Sequence, residues 1–392
     1  MPKNLKKSLL ITLDFPPNYG GVANYYYNVC KNFPSDKIIV LAPIWPGSET
    51  FDSRQKFTII RSARLNQIAK AKSGLFNLSS KFQLLGLIKD LLIIIKNHKI
   101  EFIQIGQVLP LGSMALILKR RTKIPFIFYA HGMDITVPQK ITRKKIIIKK
   151  IISKAKYIVA NSYFTRNELA KLGADRDKVV VAYPCAGLTS HHVSAQEIQN
   201  FTNQYELGGK NIILTVGRLV ERKGHDLVIK SLPEILKKIP NTIYLIAGDG
   251  PNKIKLQSLV SEKKLGSYVK FISSVSHDLL PVLYQISDVF VMPSRQLSNG
   301  DVEGFGTVYL EANLFGKPVI GGKSGGVTEA ILDKKTGLLI NPTSQTELIN
   351  AVVSLLTDKS FAHRLGFQGM ERAHHEFDWR AQTQKIISIL SK

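Results

Sequence analysis

The stretch NIILTVGRLVERKGHDLVIKSL (211–232) contains one strand, one loop and one helix in succession. It begins with a run of Ile, Leu and Val, which is typical of a parallel strand covered on both faces. The run ends at Gly217, and a polar loop carrying Arg218 and Lys223 leads into an amphipathic helix. Repetition of this unit is typical of doubly wound α/β domains.

The same alternation extends in both directions along the chain. In the first half we predict strands at 8–13, 37–42, 57–61, 101–105, 125–130, 157–160 and 179–182, with helices at 22–33, 80–98 and 162–172 between them. In the second half we predict strands at 211–217, 241–248, 268–272, 288–293, 317–322 and 337–340. The sequence therefore predicts an α/β protein with two doubly wound parallel sheets that face each other across a cleft.

The length also indicates two domains, because 392 residues exceed the usual size of one domain, ~100–200 residues. The periodicity stops around 184–193, after which Ser194 and Glu197 form a predicted capping box that starts a new helix. We place the domains at 1–190 and 191–376, with a final helical segment at 377–392.

The cysteines and the apolar segments indicate a cytoplasmic protein. Cys30 and Cys185 match no metal or redox spacing, so a reducing compartment is expected. The apolar start of the chain is interpreted as a strand, since Asp14 and Pro16 follow where a signal peptide would continue. The apolar stretch 102–118 is shorter than the ~20 residues that a spanning helix needs.

The chain carries a formal net charge of +25, which indicates an anionic partner. Between positions 119 and 156 there are twelve Lys or Arg residues and one acid, Asp134. Within this region RKKIIIKKIISKAK (143–156) predicts a helix with an apolar stripe flanked by lysines. Two interpretations remain open, an ordinary surface helix or peripheral attachment to anionic lipid on the inner face of the cell membrane. Nucleic acid is not expected, because no aromatic-interleaved basic motif is present.

The loop and helix in DVEGFGTVYLEANLFGKPVI (301–320) form the strongest candidate for a functional site. We expect Glu303, the Gly304, Phe305 and Gly306 turn, and Glu311 within the first turns of one helix. Backbone N–H groups at a helix N-terminus bind oxygen atoms of sugars or phosphates, and two glutamates could grip separate parts of one extended ligand. The competing interpretation is that these acids serve only as helix caps.

Further candidates lie after other predicted strands, where ligands of doubly wound sheets bind. Arg218 and Lys223 could clamp a diphosphate without a metal, although they are also two of many basic residues. Gly20 and Gly21 could let a ligand approach the backbone, or could form a tight turn. His131 and Asp134, also at the end of a predicted strand, could face the same cleft, although a lone histidine is more often structural. Gly325 and Gly326 open a predicted helix that contains Glu329, another possible phosphate or sugar contact.

Three other motifs carry no function in this interpretation. GKS (322–324) lacks the first glycine of a phosphate-binding loop, and GDGPNK (248–253) lacks the third glycine of a dinucleotide fingerprint. Asp175 and Asp177 form an acidic pair between a predicted helix and a strand, away from a strand's carboxyl end. We therefore expect no metal ion and no cofactor.

In these motifs the chain resembles the retaining GT-B glycosyltransferases of family 4, along essentially its whole length. The most specific matches are the glutamate pair at 303 and 311, Gly217 and Arg218 with Lys223, and GDGP (248–251). In detail, DVEGFGTVYLEA and VGRLVERKG are similar to GDP-mannose-dependent mannosyltransferases that act on phosphatidylinositol lipids.

The resemblance implies two Rossmann-like domains and a role for each candidate residue. Arg218 and Lys223 would bind the donor diphosphate, Glu303 the hydroxyls of the transferred sugar, and Glu311 the ribose. Other implied contacts are the backbone at 304–306 in the sugar pocket, Gly20 and Gly21 at the phosphates, His131 and Asp134 near the sugar and acceptor, and Val275 at the base. Ser273 replaces a glycine common in the base-contacting loop. The last helix would cross back onto the first domain.

The implied reaction is metal-independent transfer of a hexose, with retention, from a nucleotide sugar to a lipid-linked or glycan acceptor in the synthesis of cell-envelope glycoconjugates. Catalysis would centre on Glu303 and His131. The alternatives are a UDP-sugar-dependent transferase of the same family, a sugar-nucleotide epimerase, and a catalytically inactive relative that binds membrane or nucleic acid.

Overall fold

A computed structural model describes residues 4–70, 78–188, 193–273, 275–276 and 278–392. It divides into two compact units, residues 1–184 with 379–392, and residues 185–378. The sequence-based boundaries at 190 and 376 lie a few residues from these divisions.

The first unit is built on a parallel sheet to which seven strands of the described chain contribute. The strands are β1 (Ser8–Ile11), β2 (Ile38–Ala42), β3 (Thr58–Arg61), β4 (Phe102–Ile105), β5 (Phe126–Ala130), β6 (Tyr157–Ala160) and β7 (Val179–Val181). Their order across the sheet is β3-β2-β1-β4-β5-β6-β7. Leu9 of β1 pairs in register with Ile39 on one side and Ile103 on the other.

Helices cover both faces of this sheet and account for its apolar strands. They are α1 (Gly21–Lys31), α2 (Ser48–Asp52), α3 (Ala63–Lys70), α4 (Leu78–Asn97), α5 (Leu111–Thr122), α6 (Met133–Thr136), α7 (Thr142–Lys154), α8 (Tyr163–Lys171) and α17 (Trp379–Leu390). One core cluster contains residues of α4, α5 and α7, and the opposite cluster contains residues of α1 and α17. The helix α17 is tied to the unit by Gln382, whose Oε1 accepts a hydrogen bond of 3.0 Å from the N–H of Tyr183.

The basic helix predicted at 143–156 corresponds to α7, and its apolar stripe is part of the protein core. Ile148, Ile151, Ile152 and Ala155 are buried, and Ile147 packs against the same cluster. The stripe is therefore not available to insert into a bilayer. Outside the stripe, Ile146 is 63% exposed.

The second unit contains a parallel sheet of six described strands, in the order β10-β9-β8-β11-β12-β13. The strands are β8 (Asn211–Val216), β9 (Thr242–Ala247), β10 (Val269–Ile272), β11 (Val289–Met292), β12 (Val319–Gly322) and β13 (Leu338–Ile340). The helices are α9 (Ala195–Gln204), α10 (His225–Lys238), α11 (Lys253–Glu262), α12 (Leu280–Ile286), α13 (Thr307–Leu314), α14 (Val327–Ala330), α15 (Gln345–Thr357) and α16 (Lys359–Glu376). The capping box at the start of α9 is confirmed, with reciprocal bonds between Ser194 and Glu197.

Both sheets are doubly wound, and each has a point at which the strand order reverses. In the first unit this point lies between β1 and β4, and in the second between β8 and β11. The loops after the two strands diverge there, so the carboxyl ends of the strands border a crevice that is the usual ligand site of such sheets. The loops after β1, β4, β8 and β11 are therefore the places to look for a site.

Candidate active site

In the second unit, loops from both sides of the reversal point meet in a cluster of charged side chains. Lys223 follows β8 in a short 3-10 turn (Glu221–Lys223), and Glu303 follows β11. The Lys223 Nζ lies 2.5 Å from a carboxylate oxygen of Glu303. Arg222 contacts the same oxygen at 3.2 Å and also binds Asp301 at 3.0 Å. Two cations and two acids thus form one network, which places a sequence-predicted cation and acid in direct contact.

This network keeps Glu303 ionised. Burial alone would raise the pKa of the Glu303 carboxyl, but the neighbouring Lys223 ammonium and Arg222 guanidinium outweigh burial and lower that pKa below its usual value. The site therefore holds a fixed carboxylate with cations on one side of it, an arrangement that can accept hydrogen bonds from hydroxyl groups.

Glu303 precedes α13 and does not lie in its first turns, which corrects the sequence-based expectation. The helix begins at Thr307, and Gly306 is its N-cap with φ of 95°. A Cβ on Gly306 would lie 2.6 Å from the Tyr309 ring, so only glycine fits this turn. The Phe305 side chain is buried against Phe377, with ring centroids 5.5 Å apart, which leaves only its backbone to face a ligand.

The glycine pair before α14 packs against the loop that carries Glu303. The N–H of Gly326 donates to the Glu303 carbonyl at 3.0 Å. A Cβ on Gly325 would lie 2.3 Å from that carbonyl oxygen, and one on Gly326 would lie 2.0 Å from the Gly304 carbonyl oxygen. Gly325 and Gly326 are therefore explained by packing against the loop, and a ligand contact is not needed to account for them. Glu329 offers its backbone carbonyl to Arg372 at 2.9 Å.

Glu311, the second predicted glutamate, lies within α13 and is buried. Its carboxylate accepts a hydrogen bond of 2.8 Å from the hydroxyl of Tyr284. Burial raises the pKa of Glu311, and the Tyr284 hydrogen bond and the charge of Lys223 oppose that rise. Glu303 lies in the loop directly before α13 and Glu311 lies within α13, so the two glutamates belong to one region of the second unit.

Within the described chain, the side chains of Arg218 and Val275 make no hydrogen bond or ion pair with the charged cluster. The Arg218 side chain is exposed, and within the described chain it makes no ion pair. Val275 is half-buried beyond the end of β10, between residues 274 and 277, which lie outside the described part. Ser273, at the position where a glycine was expected, accepts a hydrogen bond of 2.7 Å from Lys253 of α11.

In the first unit, His131 is held on three sides at the end of β5. The backbone N–H of His131 donates to a carboxylate oxygen of Asp134 at 2.8 Å, and its backbone carbonyl accepts from the side-chain amide of Asn161 at 3.1 Å. Its ring nitrogen Nε2 lies 2.6 Å from the hydroxyl of Tyr26 on α1. Burial lowers the pKa of His131 to about 4, so the imidazole is neutral at pH 7. Burial raises the pKa of Asp134 to about 7.

Gly20 and Gly21 stand at the start of α1, with Gly20 as N-cap. A Cβ on either residue would meet no atom within 4 Å. Gly20 has φ of 178°, which any residue adopts. Neither packing nor backbone conformation within the described chain requires glycine here, so the close approach of a ligand stays a prediction.

Sequence reasoning missed four residues that the structure brings to these clusters: Arg222, Asp301, Tyr284 and Tyr26. Arg222 and Asp301 were within the quoted motifs. Arg222 is adjacent to Lys223 and Asp301 lies two residues before Glu303, so their closeness to these candidates was an available signal. Tyr26 and Tyr284 carried no such signal, since each is one of 13 tyrosines in the chain and lies beside no charged candidate residue. Asp175, dismissed as a metal ligand, caps a 3-10 turn by accepting from the N–H of Asp177.

Comparison with known families identifies the family to which the chain belongs. Residues 19–187 match the family described as Glycosyltransferase Family 4, and residues 197–372 match Glycosyl transferases group 1. The chain belongs to the family 4 (group 1) glycosyltransferases. Each match falls largely within one of the two units.

Curated relatives of this glycosyltransferase align with it over nearly their whole length. A GDP-mannose-dependent alpha-(1-6)-phosphatidylinositol monomannoside mannosyltransferase of Mycolicibacterium smegmatis is 28% identical over 388 residues, covering 98% of each chain. The monoacylated-substrate counterpart of Corynebacterium glutamicum is 25% identical over 400 residues, again covering 98% of each.

Solved structures share the fold of this glycosyltransferase. Anabaena HepE, solved with UDP and glucose, has a TM-score of 0.81 at 19% identity and covers 99% of this chain and 100% of its own. WaaG, a glycosyltransferase involved in lipopolysaccharide biosynthesis, has a TM-score of 0.71 at 18% identity and covers 98% of this chain and 99% of its own. The predicted GT-B fold class is confirmed.

Proposed function

We propose that this glycosyltransferase moves mannose from GDP-mannose to a lipid-linked or glycan acceptor in the synthesis of cell-envelope glycoconjugates. Support comes from the full-length relatives, whose names specify GDP-mannose as donor and a phosphatidylinositol mannoside as acceptor. The same donor was inferred from the motifs around Lys223 and Glu303.

The observation that carries the proposal is the contact between Lys223 and Glu303 at the reversal point of the second sheet. A cation suits the diphosphate of a nucleotide sugar, and a fixed carboxylate suits the hydroxyls of the sugar attached to it. Glu311, within reach of the same electrostatic field, would take the ribose hydroxyls. Arg218 is exposed in the loop after β8 that also carries Lys223, and it would reach the diphosphate from solvent.

In the proposed reaction the bond between the anomeric carbon and the phosphate oxygen breaks, and the nucleoside diphosphate leaves with the electron pair. The acceptor oxygen bonds to the anomeric carbon on the face that the phosphate leaves, and its proton passes to the leaving phosphate. Lys223 and Arg218 stabilise the charge that develops on the diphosphate, so no metal ion is required in this scheme. Configuration at the anomeric carbon is retained.

A thermal-shift screen with GDP-mannose, UDP-glucose and ADP-glucose tests the donor. A ligand that binds only the folded state raises stability by ~2.7 kcal/mol at one hundred times its Kd. GDP-mannose should raise the Tm most. If UDP-glucose gives the larger shift, the UDP-sugar alternative replaces this donor, and if no nucleotide sugar shifts the Tm, the proposal is wrong.

Transfer is then measured with Glu303→Gln, which keeps the side-chain shape and removes the charge. Wild type should form a glycosylated acceptor, and the variant should lose at least about a hundredfold in kcat, as expected for a lost transition-state interaction of ~2.7 kcal/mol. Glu234→Gln on α10 is the matched control, since among the described residues its carboxylate pairs with Lys237 at the surface. Formation of an epimerised nucleotide sugar without transfer would favour the epimerase alternative.

We also propose peripheral attachment to anionic lipid through the exposed lysines of α7. None of the helices in the described chain meets the length and hydropathy that a bilayer span demands. Lys145 and Lys149 are exposed on α7, and Ile141 and Ile146 beside them are 50% and 63% exposed. Basic residues near an anionic surface each contribute ~1 kcal/mol.

Sedimentation with vesicles tests this attachment. Binding should require anionic lipid and fall strongly in a Lys145→Glu, Lys149→Glu double variant. A Lys237→Glu, Lys238→Glu double variant on α10 makes the same charge change in the second unit and should bind as wild type does. Equal binding of wild type to neutral and anionic vesicles would exclude the electrostatic attachment.

A further inference from the structure

The hydroxyl group of Tyr26 joins the loops that follow β4 and β5, two neighbouring strands of the first sheet. Tyr26 lies on α1 and is fully buried. Its hydroxyl oxygen contacts the carbonyl oxygen of Gly106, directly after β4, and lies 2.6 Å from Nε2 of His131, directly after β5. One hydroxyl therefore bridges a backbone carbonyl and an imidazole.

The protons in this arrangement can be assigned from the chemistry of the three groups. The Gly106 carbonyl oxygen can only accept, so the single hydroxyl proton of Tyr26 must be donated to it. The Tyr26 oxygen then has only lone pairs to offer to His131. A hydrogen bond between them requires a proton on Nε2, so His131 is in the Nε2–H tautomer.

This tautomer leaves the other ring nitrogen as an acceptor. A neutral imidazole carries one N–H, so Nδ1 of His131 has a lone pair. The burial that lowers the pKa of His131 to about 4 keeps the ring neutral at physiological pH. Nδ1 makes no hydrogen bond to any residue that the structure describes, and His131 as a whole keeps partial exposure to solvent.

The ring that carries this lone pair is also fixed in orientation. The backbone of His131 is bound at its N–H by Asp134 and at its carbonyl by Asn161. The rings of Tyr25 and Tyr26 lie edge-on to the imidazole, with centroids 5.2 and 5.4 Å away. Such restraint limits the directions in which Nδ1 can accept a hydrogen bond.

We propose that Tyr26 is a positioning residue that keeps the proton of His131 on Nε2 and presents the Nδ1 lone pair to a substrate hydroxyl group. The inference rests on the proposed transferase function, which supplies the hydroxyl, either on the donor sugar or on the acceptor. Tyr26 itself does not touch the substrate. It acts through the imidazole of His131, by fixing which ring nitrogen carries the proton.

Nitrogen NMR tests the tautomer without reference to activity. In 15N-labelled wild type near pH 7, the His131 signal, identified by its loss in His131→Asn, should show a protonated Nε2 and an unprotonated Nδ1. In Tyr26→Phe a proton on Nε2 would be buried without an acceptor, so the population should move toward Nδ1–H. A wild-type ring protonated on Nδ1, or a Tyr26→Phe ring unchanged from wild type, would overturn the proposal.

Activity measurements then locate the hydroxyl group. Tyr26→Phe should lower kcat/KM for transfer by about tenfold, the effect of one hydrogen bond lost in the transition state. If donor hydrolysis by water falls equally, the hydroxyl belongs to the donor sugar. If hydrolysis is unchanged, it belongs to the acceptor. Unchanged rates for both reactions would show that the tautomer has no role in catalysis, and would leave the donor screen and Glu303→Gln as separate tests of the transferase function.

Tyr25→Phe serves as the matched control. Tyr25 also lies on α1, and its hydroxyl donates to the backbone carbonyl of Ala182 at 3.2 Å. Its contact with His131 is through the ring and not through the hydroxyl. The two variants should lose similar amounts of stability, measured as the midpoint of urea unfolding. Only Tyr26→Phe should change the tautomer and the rate. A change of tautomer in both variants would mean that loosening of α1, and not the Tyr26 hydroxyl, controls the ring.

Discussion

The ammonium group of Lys223 lies 2.5 Å from the carboxylate of Glu303, although 80 residues separate them in the chain. Lys223 follows β8 and Glu303 follows β11, two strands that are neighbours only because the strand order of the sheet reverses between them. The contact is therefore a product of topology, and its strength can be measured.

A double-mutant cycle of Lys223→Met and Glu303→Gln should reveal coupling in the free energy of unfolding. Each single variant should lose ~1–3 kcal/mol of the free energy of unfolding, because the remaining charged side chain of the partly buried pair is left with fewer partners. The double variant should lose less than the sum, with a coupling energy of ~0.5–3 kcal/mol. Urea unfolding at pH 7 measures all four proteins, and strictly additive losses would contradict the contact.

The same carboxylate predicts a loss of stability in acid. The folded pKa of Glu303 lies below its unfolded value, so its contribution is complete above the unfolded pKa and is lost as pH falls through the folded pKa. Between pH 6 and pH 3 wild type should therefore lose more stability than Glu303→Gln. Parallel pH profiles for the two proteins would show that the pair does not depress this pKa.

Asp134 should have the opposite pH dependence. Its folded pKa of about 7 lies above the unfolded value, so the folded state binds the proton more tightly and stability falls as pH rises from about 4 to about 7. Asp134→Asn keeps the oxygen that accepts from the His131 N–H and cannot ionise. Its stability relative to wild type should increase over that window, by up to ~1.4 kcal/mol for each unit of pKa difference. A constant difference from pH 4 to pH 8 would refute the shifted pKa.

Gly21→Ala separates a ligand contact from a structural turn. A Cβ at this helical position meets nothing within 4 Å, and alanine favours a helix by up to ~1 kcal/mol over glycine, so the Tm should stay the same or rise. If the glycines approach the donor phosphates, the variant should bind the nucleotide sugar at least about tenfold more weakly, the cost of ~1.4 kcal/mol. Calorimetric titration provides that measurement.

Gly306→Ala is the comparison for that experiment. It forces a Cβ to within 2.6 Å of Tyr309 at φ of 95°, so it should lower stability by at least ~1–2 kcal/mol. Unaltered affinity in Gly21→Ala would assign the first glycine pair to the turn.

Tyr284→Phe should weaken nucleotide binding through Glu311. Burial already raises the pKa of Glu311, and the Tyr284 hydrogen bond opposes that rise, so its loss should raise the pKa further. A protonated Glu311 accepts hydrogen bonds from ribose hydroxyls more weakly than the carboxylate does, because the charge that strengthens them is lost. Affinity should therefore fall several-fold, and it should weaken more with falling pH than the affinity of wild type does, as measured by titration at several pH values. Affinity that is independent of pH in the variant would exclude this role for Glu311.

Much of the fold and part of the site could be predicted from local sequence. Runs of Ile, Val and Leu bounded by Gly or Pro located the strands, because a strand covered on both faces needs continuous apolar residues. The first and last residues of elements were less accurate, and Glu303 was placed inside a helix that begins at Thr307. Gly306 at positive φ ends the loop there, and the Tyr309 ring packed beside it leaves no room for a Cβ.

By itself the sequence determined two parallel-sheet units, the loops that carry charge, and the family whose motifs they match, since these depend on residues close together in the chain. Tertiary structure alone decided which loops meet. It joined Arg222 and Lys223 to Glu303, buried the stripe of α7 in a core, and set the Tyr26 hydroxyl between Gly106 and His131. The physical reason is that strand order, which brings residues 80 or 105 positions apart into contact, arises from the packing of the whole sheet.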